Sequence, residues 1–66
     1  MKANVLKSKR VLHDYTEKEL ADIVGISRYS YIKKENGIAE FNASQIASIM
    51  RALQLTPEEI VEIFLL

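Results

Sequence analysis

Few residues of this chain could carry out covalent or metal chemistry. The 66 residues include no cysteine and a single histidine, His13. Asp14 follows it, but no nucleophile or second base accompanies the two, so we interpret them as surface or capping groups at a helix end. One histidine without cysteine also leaves no ligand set for zinc. We therefore expect a protein that is not an enzyme and that binds no metal or cofactor.

The charged residues are distributed unequally between the two halves of the chain. Residues 1–34 hold eight lysines or arginines and four acidic residues, a net charge of +4, whereas residues 35–66 hold one arginine and five glutamates, a net charge of −4. This asymmetry indicates a basic face suited to a polyanionic partner, although the whole chain is neutral. The alternative is that the charges only solvate helix surfaces, because a charge count describes fields rather than a site.

Capping residues mark the starts of four helices. Two starts show the capping-box pattern, in which the cap side chain and the residue three positions later satisfy each other's backbone N–H groups. Another has proline at the first helical position, where the missing N–H costs nothing. The four cap residues are Thr16, Ser27, Asn42 and Thr56. With an opening helix near residues 3–13, five helices are expected.

Apolar spacing and helix-ending residues agree with this assignment. Ile46, Ile49 and Leu53 form one helical stripe, and no segment shows the sustained alternation of a strand. Gly25 is expected to end the second helix because glycine readily takes a positive φ. The link to the third helix is then only residues 25–27, and such a tight, glycine-containing turn is typical of a helix-turn-helix.

The run from Thr16 to Arg28, followed by Lys34-Glu35-Asn36-Gly37, resembles the Cro and phage-repressor type of helix-turn-helix protein, and residues 6–10 and 53–60 also match its pattern. The resemblance covers nearly the whole chain. It implies an all-α, compact five-helix bundle of the lambda-repressor-like kind, with residues 1–66 as one DNA-binding domain. It also implies a transcriptional regulator, Cro- or repressor-like and derived from a phage or mobile element, that binds operator half-sites of duplex DNA as a homodimer.

In the resembling family the third helix lies in the major groove, where each base pair presents a distinct pattern of donors and acceptors. Residues on the leading turns of this helix are expected to contact bases. They are Ser27, Arg28, Tyr29, Ile32 and Lys33. The alternatives are that Arg28 and Lys33 contact only phosphate or water, that Tyr29 covers a neighbouring helix, and that Ile32 belongs to the core.

The resemblance further implies a largely buried ion pair between Arg10 and Glu35, which would join helices one and three. Desolvation offsets most of the attraction in such a pair. Its expected use is therefore to fix the angle of helix three and to present Arg10 near the DNA backbone. The alternative is two unrelated surface charges. Tyr31 falls at an apolar core position of the family and is expected to be buried.

Phosphate contacts are expected at helix N-termini, where free N–H groups and the helix dipole attract anions. The start of helix two and the loop before helix four are the candidates, assisted by nearby polar and basic residues. The predicted phosphate-contacting residues are Lys7, Lys9, Arg10, Thr16, Glu17, Lys18, Asn36, Ile38, Ala39 and Asn42.

Three residues depart from the family pattern. Glu17 stands where glutamine is usual and should repel DNA unless it is paired, and Glu40 adds a second negative charge. Lys34 replaces an apolar residue, so its stem should run along the core with the ammonium outside. These departures favour an alternative function, in which the same fold is a protein-interaction module, an antitoxin or antirepressor, with weak or no DNA binding.

The end of the chain is more apolar than a single helix stripe can bury, which predicts a homodimer interface. The interface residues are expected to be Ile60, Ile63, Phe64, Leu65 and Leu66. The alternative is that this tail folds back on helix one. The short apolar runs and the absence of a secretory signal predict a cytoplasmic protein without a membrane partner. We expect no small-molecule ligand, so that any antagonist would be another protein.

Overall fold

The computed structural model describes residues 1–65 and consists of five α-helices followed by one π-helical turn. The helices are α1 (Ala3–Leu12), α2 (Glu17–Val24), α3 (Arg28–Glu35), α4 (Ala43–Leu53) and α5 (Pro57–Ile60), and the turn is Val61–Leu65. Residues 1–65 contain no strand, and none of their helices is long and apolar enough to cross a bilayer. The predicted all-α fold with five helices is confirmed, whereas the π-helical turn was not predicted.

The capping residues begin the helices as predicted. Thr16, Asn42 and Thr56 each accept a hydrogen bond from the backbone N–H three residues later, and the side chain there reaches back to the cap N–H. Ser27 accepts from the N–H of Ser30 at 3.0 Å. Caps matter here because α2 and α3 have only eight residues each, and helices this short are marginal on their own.

Residues with positive φ end several helices. Gly25 has a φ of 86°, and its N–H donates to the carbonyl of Ala21. Asp14 has a φ of 61° after α1, which agrees with its predicted role as a helix stop. Gln54 takes the same conformation after α4, with a φ of 53°, and its side chain offered no signal for that. The left-handed conformation that ends α4 was therefore not predicted.

The buried core draws side chains from α1 to α4, from the loops on either side of α4 and from the π-helical turn. An aromatic row runs through it, in which the Phe41 ring lies 5.8 Å from that of Tyr31 and 5.9 Å from that of Phe64, between centroids. These spacings are typical of favourable aromatic pairs. Tyr31 is buried as predicted. The buried apolar residues are Leu6, Leu20, Ala21, Tyr31, Phe41, Ile49, Leu53, Leu55 and Ile63.

The tail of the chain completes this core, which corrects the expected dimer interface. Ile63 is 0% exposed within the monomer, so its assignment to an interface is wrong. Its carbonyl accepts a hydrogen bond from the Lys2 N–H at 2.8 Å, which joins the tail to the start of α1. Ile60 and Phe64 pack partly against the core, and Leu65 is 70% exposed. The remaining predicted interface residue, Leu66, lies outside the described residues.

Two lysines link helices through their ammonium groups. Lys34 is half-buried and donates to the Gln45 side chain of α4 at 3.0 Å, so its ammonium is tied to the bundle rather than free in solvent as expected. Lys9 forms an ion pair with Glu59, which joins α1 to α5. The hydrogen bond from Lys9, followed by the one from the Thr56 backbone, lowers the pKa of Glu59.

We expect Lys9→Met to raise the pKa of Glu59 towards the usual range for glutamate, because the substitution removes the largest cause of its lowering. The folded-state pKa of Glu59 is below the unfolded value, so the pair stabilises the fold above the unfolded pKa. That stabilisation is lost as the pH falls through the folded pKa. An NMR titration of the Glu59 carboxyl measures the shift. Lys7→Met, which removes an exposed lysine from α1, is the control, and an unchanged Glu59 pKa in Lys9→Met would contradict the assignment.

Candidate nucleic-acid interface

The turn between α2 and α3 holds the two helices as one unit. The N–H groups of Gly25 and Ile26 both donate to the Ala21 carbonyl, at 2.8 and 3.0 Å, so the chain leaves α2 in a hydrogen-bonded turn. A Cβ at Gly25 would meet no atom within 4 Å, so glycine is favoured there by its positive φ rather than by lack of space. Ser27 then caps α3. The predicted helix-turn-helix geometry is therefore present in the structure.

Only one side of α3 is packed against the protein. Tyr31 and Glu35 face inward and are buried. The opposite side carries the residues predicted to contact bases, and the rest of the described chain leaves this side open to solvent. Three of them are exposed, Ser27, Arg28 and Tyr29, and two are half-buried, Ile32 and Lys33. The positions of these five side chains are thus compatible with insertion into a groove, with Ile32 and Lys33 at the edges of the exposed strip.

Tyr29 and Lys33 contact each other along the exposed side of α3. Tyr29 is 72% exposed, and the Lys33 ammonium lies 5.3 Å from the centroid of its ring. Residues four apart are neighbours on a helix surface, and a cation at this distance is attracted by the ring. The pair therefore places an aromatic ring and a cation side by side on the strip that faces solvent.

Arg28 is paired with Glu17, the residue that departs from the family pattern. The Nη2 atom of Arg28 lies 3.5 Å from Oε1 of Glu17, and the side chains are 59% and 30% exposed. Lys18, the basic residue next to Glu17 in the sequence, instead pairs with Asp22 at 2.8 Å. Glu17 and Arg28 are the first residues of α2 and α3, so the pair spans the two helices at their N-terminal ends.

A buried carboxylate anchors the other end of α3. Nε of Arg10 donates to Oε2 of Glu35 at 2.9 Å, and Nη2 donates to Oε1 at 3.3 Å. The remaining nitrogen, Nη1, donates to the Tyr15 carbonyl at 2.9 Å. The Tyr31 hydroxyl also donates to Oε2 of Glu35. The predicted ion pair is therefore present, and it is buried, two-pronged and extended by a tyrosine.

The sequence analysis predicted that Tyr31 is buried but not that its hydroxyl donates a hydrogen bond to Glu35. Tyr31 and Glu35 are four residues apart on α3, and that spacing, which brings side chains together, was the available signal. Burial, followed by the hydrogen bond to Glu35, raises the pKa of Tyr31 well above its usual value. Burial alone would lower the pKa of Arg10, but Glu35 outweighs it and the pKa is raised. Arg10 therefore stays charged and Tyr31 stays a neutral donor at physiological pH.

Two basic residues do not fit the phosphate contacts predicted for them. Arg10 is 6% exposed, and each of its side-chain nitrogens already donates to a protein acceptor, so the prediction that it contacts phosphate is wrong. Lys9 is engaged by Glu59 on α5, which corrects the view of Lys9 as a cation available to DNA. For Lys9 the tertiary fold supplies a carboxylate that the sequence did not reveal. For Arg10 it adds the Tyr15 carbonyl to the expected carboxylate of Glu35, which leaves no side-chain nitrogen without an acceptor.

The backbone of the loop after α3 is also committed to the protein. The N–H groups of Ile38 and Ala39 both donate to the Lys33 carbonyl, at 2.9 and 3.3 Å. These N–H groups close the C-terminal end of α3, so the expected anion site at Ile38 and Ala39 is wrong. At the start of α2 the Thr16 side chain accepts from the N–H of Glu19, so a phosphate contact at the two earlier N–H groups, those of Glu17 and Lys18, stays a prediction.

The other predicted phosphate-contacting side chains lie at the surface. Those of Lys7, Thr16, Lys18, Asn36 and Asn42 are exposed, and that of Glu17 is half-buried. Thr16 and Asn42 use their side-chain oxygens as caps, so they can help an anion only by holding the start of α2 and of α4 in place. Their contacts with phosphate stay predictions.

The family model described as helix-turn-helix matches residues 6–60 of the chain. The match runs from the middle of α1 to the last residue of α5, and it therefore includes the exposed side of α3 and both residues of the buried ion pair. No curated protein and no solved structure shows a significant match to the chain.

We expect Tyr31→Phe to lower the free energy of unfolding by about 1 kcal/mol, because Glu35 loses one hydrogen bond but keeps Arg10. Glu35→Gln should cost more, roughly 3–5 kcal/mol, because it leaves the Arg10 charge buried without its counter-ion. Urea denaturation followed by circular dichroism measures both. Glu40→Gln, an exposed site, is the control, and equal effects of all three substitutions would argue against the anchoring role of Glu35.

Proposed function

The chain belongs to the helix-turn-helix family of DNA-binding regulators, and from that premise we propose that it is a sequence-specific transcriptional regulator that inserts α3 into the major groove of duplex DNA. The observation that carries this proposal is that one side of α3 is buried and the opposite side is exposed. One side is anchored by a buried ion pair, and the other presents Arg28 and Tyr29 to solvent. The major groove is wide enough for one helix, and its base edges differ for every base pair.

The residues of the exposed side have complementary abilities in reading bases. Arg28 can donate two parallel hydrogen bonds to a guanine, and Ile32 can contact a thymine methyl group. Lys33 is within reach of a guanine or a phosphate, and its contact with Tyr29 limits where both side chains can point. Ser27 is committed to its cap, so we assign it a smaller part in base recognition. The first turn of α2 supplies N–H groups for a phosphate on the groove edge.

We further propose that the protein acts as a homodimer by occupancy, binding two half-sites about one helical turn apart and blocking polymerase, as a Cro-like repressor does. Support comes from the size of the bundle, whose longest extent is 27 Å, because two such bundles side by side fit successive major grooves about 34 Å apart. The exposed side chain of Leu65, with Val61 one turn before it, is the part of the tail that remains available for a partner. Origin in a phage or mobile element stays a prediction.

Selection of bound sequences from a random DNA pool tests the central proposal. We expect a palindromic consensus with guanine at the position read by Arg28. Arg28→Ala should then weaken binding to that consensus by roughly 1–3 kcal/mol and relax the preference at one position. Arg51→Ala, which removes the same charge from an exposed site on α4, is the control. An equal loss on every sequence would make Arg28 a phosphate contact instead.

The dimer is tested by Leu65→Lys. Leu65 is exposed in the monomer, so the substitution should leave the melting temperature nearly unchanged while it shifts sedimentation equilibrium towards monomer and weakens binding to a two-half-site operator. Asn4→Lys, an exposed position of α1, is the matched control for the added charge. A Leu65→Lys protein that still dimerises would place the interface elsewhere.

A second candidate function, a protein-interaction module of the same fold, is favoured by one feature of the surface. A groove of about 380 Å³ next to the loop after α3 is lined by apolar side chains that include Phe41 and Phe64, with Glu40 at its rim. A carboxylate in that place suits a protein partner better than a phosphate. The salt dependence of duplex binding separates the two candidates, because affinity that depends on phosphate contacts falls steeply as salt rises.

A further inference from the structure

We propose that Glu17 is a specificity-determining residue, whose carboxylate competes with DNA phosphate for Arg28 and thereby reserves Arg28 for a base. This inference rests on the proposed function, because it assigns a role within the same interface. It starts from the ion pair between Arg28 and Glu17, whose nearest atoms are 3.5 Å apart. The pair joins the N-terminal ends of α2 and α3, the region that the proposed binding mode turns towards DNA.

Glu17 is the more firmly placed member of the pair. Its side chain is about half as exposed as that of Arg28. It stands in the first turn of α2, where the helix dipole stabilises a negative charge. Arg28 is more exposed, and its side-chain conformation is therefore the one that adjusts to the carboxylate.

The pair occupies only part of the Arg28 guanidinium. The contact involves the Nη2 atom, whereas a guanidinium has five N–H donors. Nη2 carries two N–H groups, one on each of the two edges of the guanidinium that present parallel donors. A single contact with Glu17 therefore leaves the other edge free for two parallel hydrogen bonds to a guanine, whose acceptors in the major groove are the uncharged O6 and N7 atoms. Glu17 can therefore keep its contact while Arg28 binds a base.

Phosphate is affected differently by the same carboxylate. A phosphate and Glu17 are both anions, so they compete for the positive charge of Arg28. Repulsion by Glu17 also offsets part of the attraction that the N–H groups of the first turn of α2 exert on the DNA backbone. This repulsion lowers the affinity for every DNA sequence. On the specific site, the hydrogen bonds from Arg28 to a guanine compensate for it. Since non-specific affinity depends almost wholly on phosphate contacts, Glu17 should lower non-specific binding more than specific binding.

The test compares Glu17→Gln with Glu19→Gln. Both substitutions remove one negative charge from the first turn of α2. Glu19 is not paired with Arg28 but forms the capping box with Thr16. Glutamine can also fill that role, so the cap is preserved in Glu19→Gln. Binding is measured by fluorescence anisotropy on the selected consensus, on the same site with the Arg28 base replaced, and on random duplex, each over a series of salt concentrations. Circular dichroism verifies that both variants fold.

For Glu17→Gln we expect affinity for random duplex to rise about fivefold, and the slope of log affinity against log salt to steepen by about one, as for one added phosphate contact. Discrimination between the consensus and the replaced base should fall roughly fivefold. Glu19→Gln should leave that discrimination unchanged. In an Arg28→Ala background, Glu17→Gln should no longer alter it, because the residue that Glu17 holds is gone.

Three results would overturn the inference. Equal changes in Glu17→Gln and Glu19→Gln would reduce Glu17 to a long-range charge. Weaker binding to random duplex in Glu17→Gln would show that the carboxylate helps the backbone contact. A parent protein that binds the selected consensus with no discrimination, or binds duplex without salt dependence, would overturn the proposed function and this inference together, and is recognised from the parent alone.

Discussion

The two-pronged hydrogen bonding between Arg10 and Glu35 is the contact on which the rest of the molecule depends. It joins α1 to α3 across the core, and the Tyr31 hydroxyl and the Tyr15 carbonyl complete it. A buried charge is tolerated only when its partners are all present, so this cluster permits one angle between the helices rather than a range. Burial of a pair contributes little net stability, and its value here is the geometry that it imposes on α3.

That geometry explains how a chain with no net charge can present a surface for a polyanion. The basic residues of the first half are divided by the fold into those that hold the structure together and those that face outward. Arg10 and Lys9 belong to the first kind, and Lys33 and Arg28 to the second. Even Arg28 shares its charge with a carboxylate, so the proposed mode of binding depends on directional contacts more than on an excess of positive charge.

The helices could be predicted because their signals are local. A cap and the N–H groups that it satisfies lie within three residues of each other, as at Thr16 and Ser27, and the turn at Gly25 depends on the backbone freedom of one residue. The predictions that were wrong concern contacts between segments that are distant in the sequence. The tail was assigned to a dimer interface because its apolar content exceeds one stripe, but Ile63 and the start of α1 meet across the bundle.

Sequence alone determined where the helices start, the helix-turn-helix and, through the resemblance, the pairing of Arg10 with Glu35. Tertiary structure alone decided which donors remain for a partner. In the folded chain the N–H groups of Ile38 and Ala39 bond the last turn of α3. Lys9 forms an ion pair with Glu59, and Glu17 forms one with Arg28. The physical reason is that a hydrogen bond or ion pair consumes a group's capacity for others. Whether a residue is free for DNA therefore depends on neighbours that lie far away along the chain.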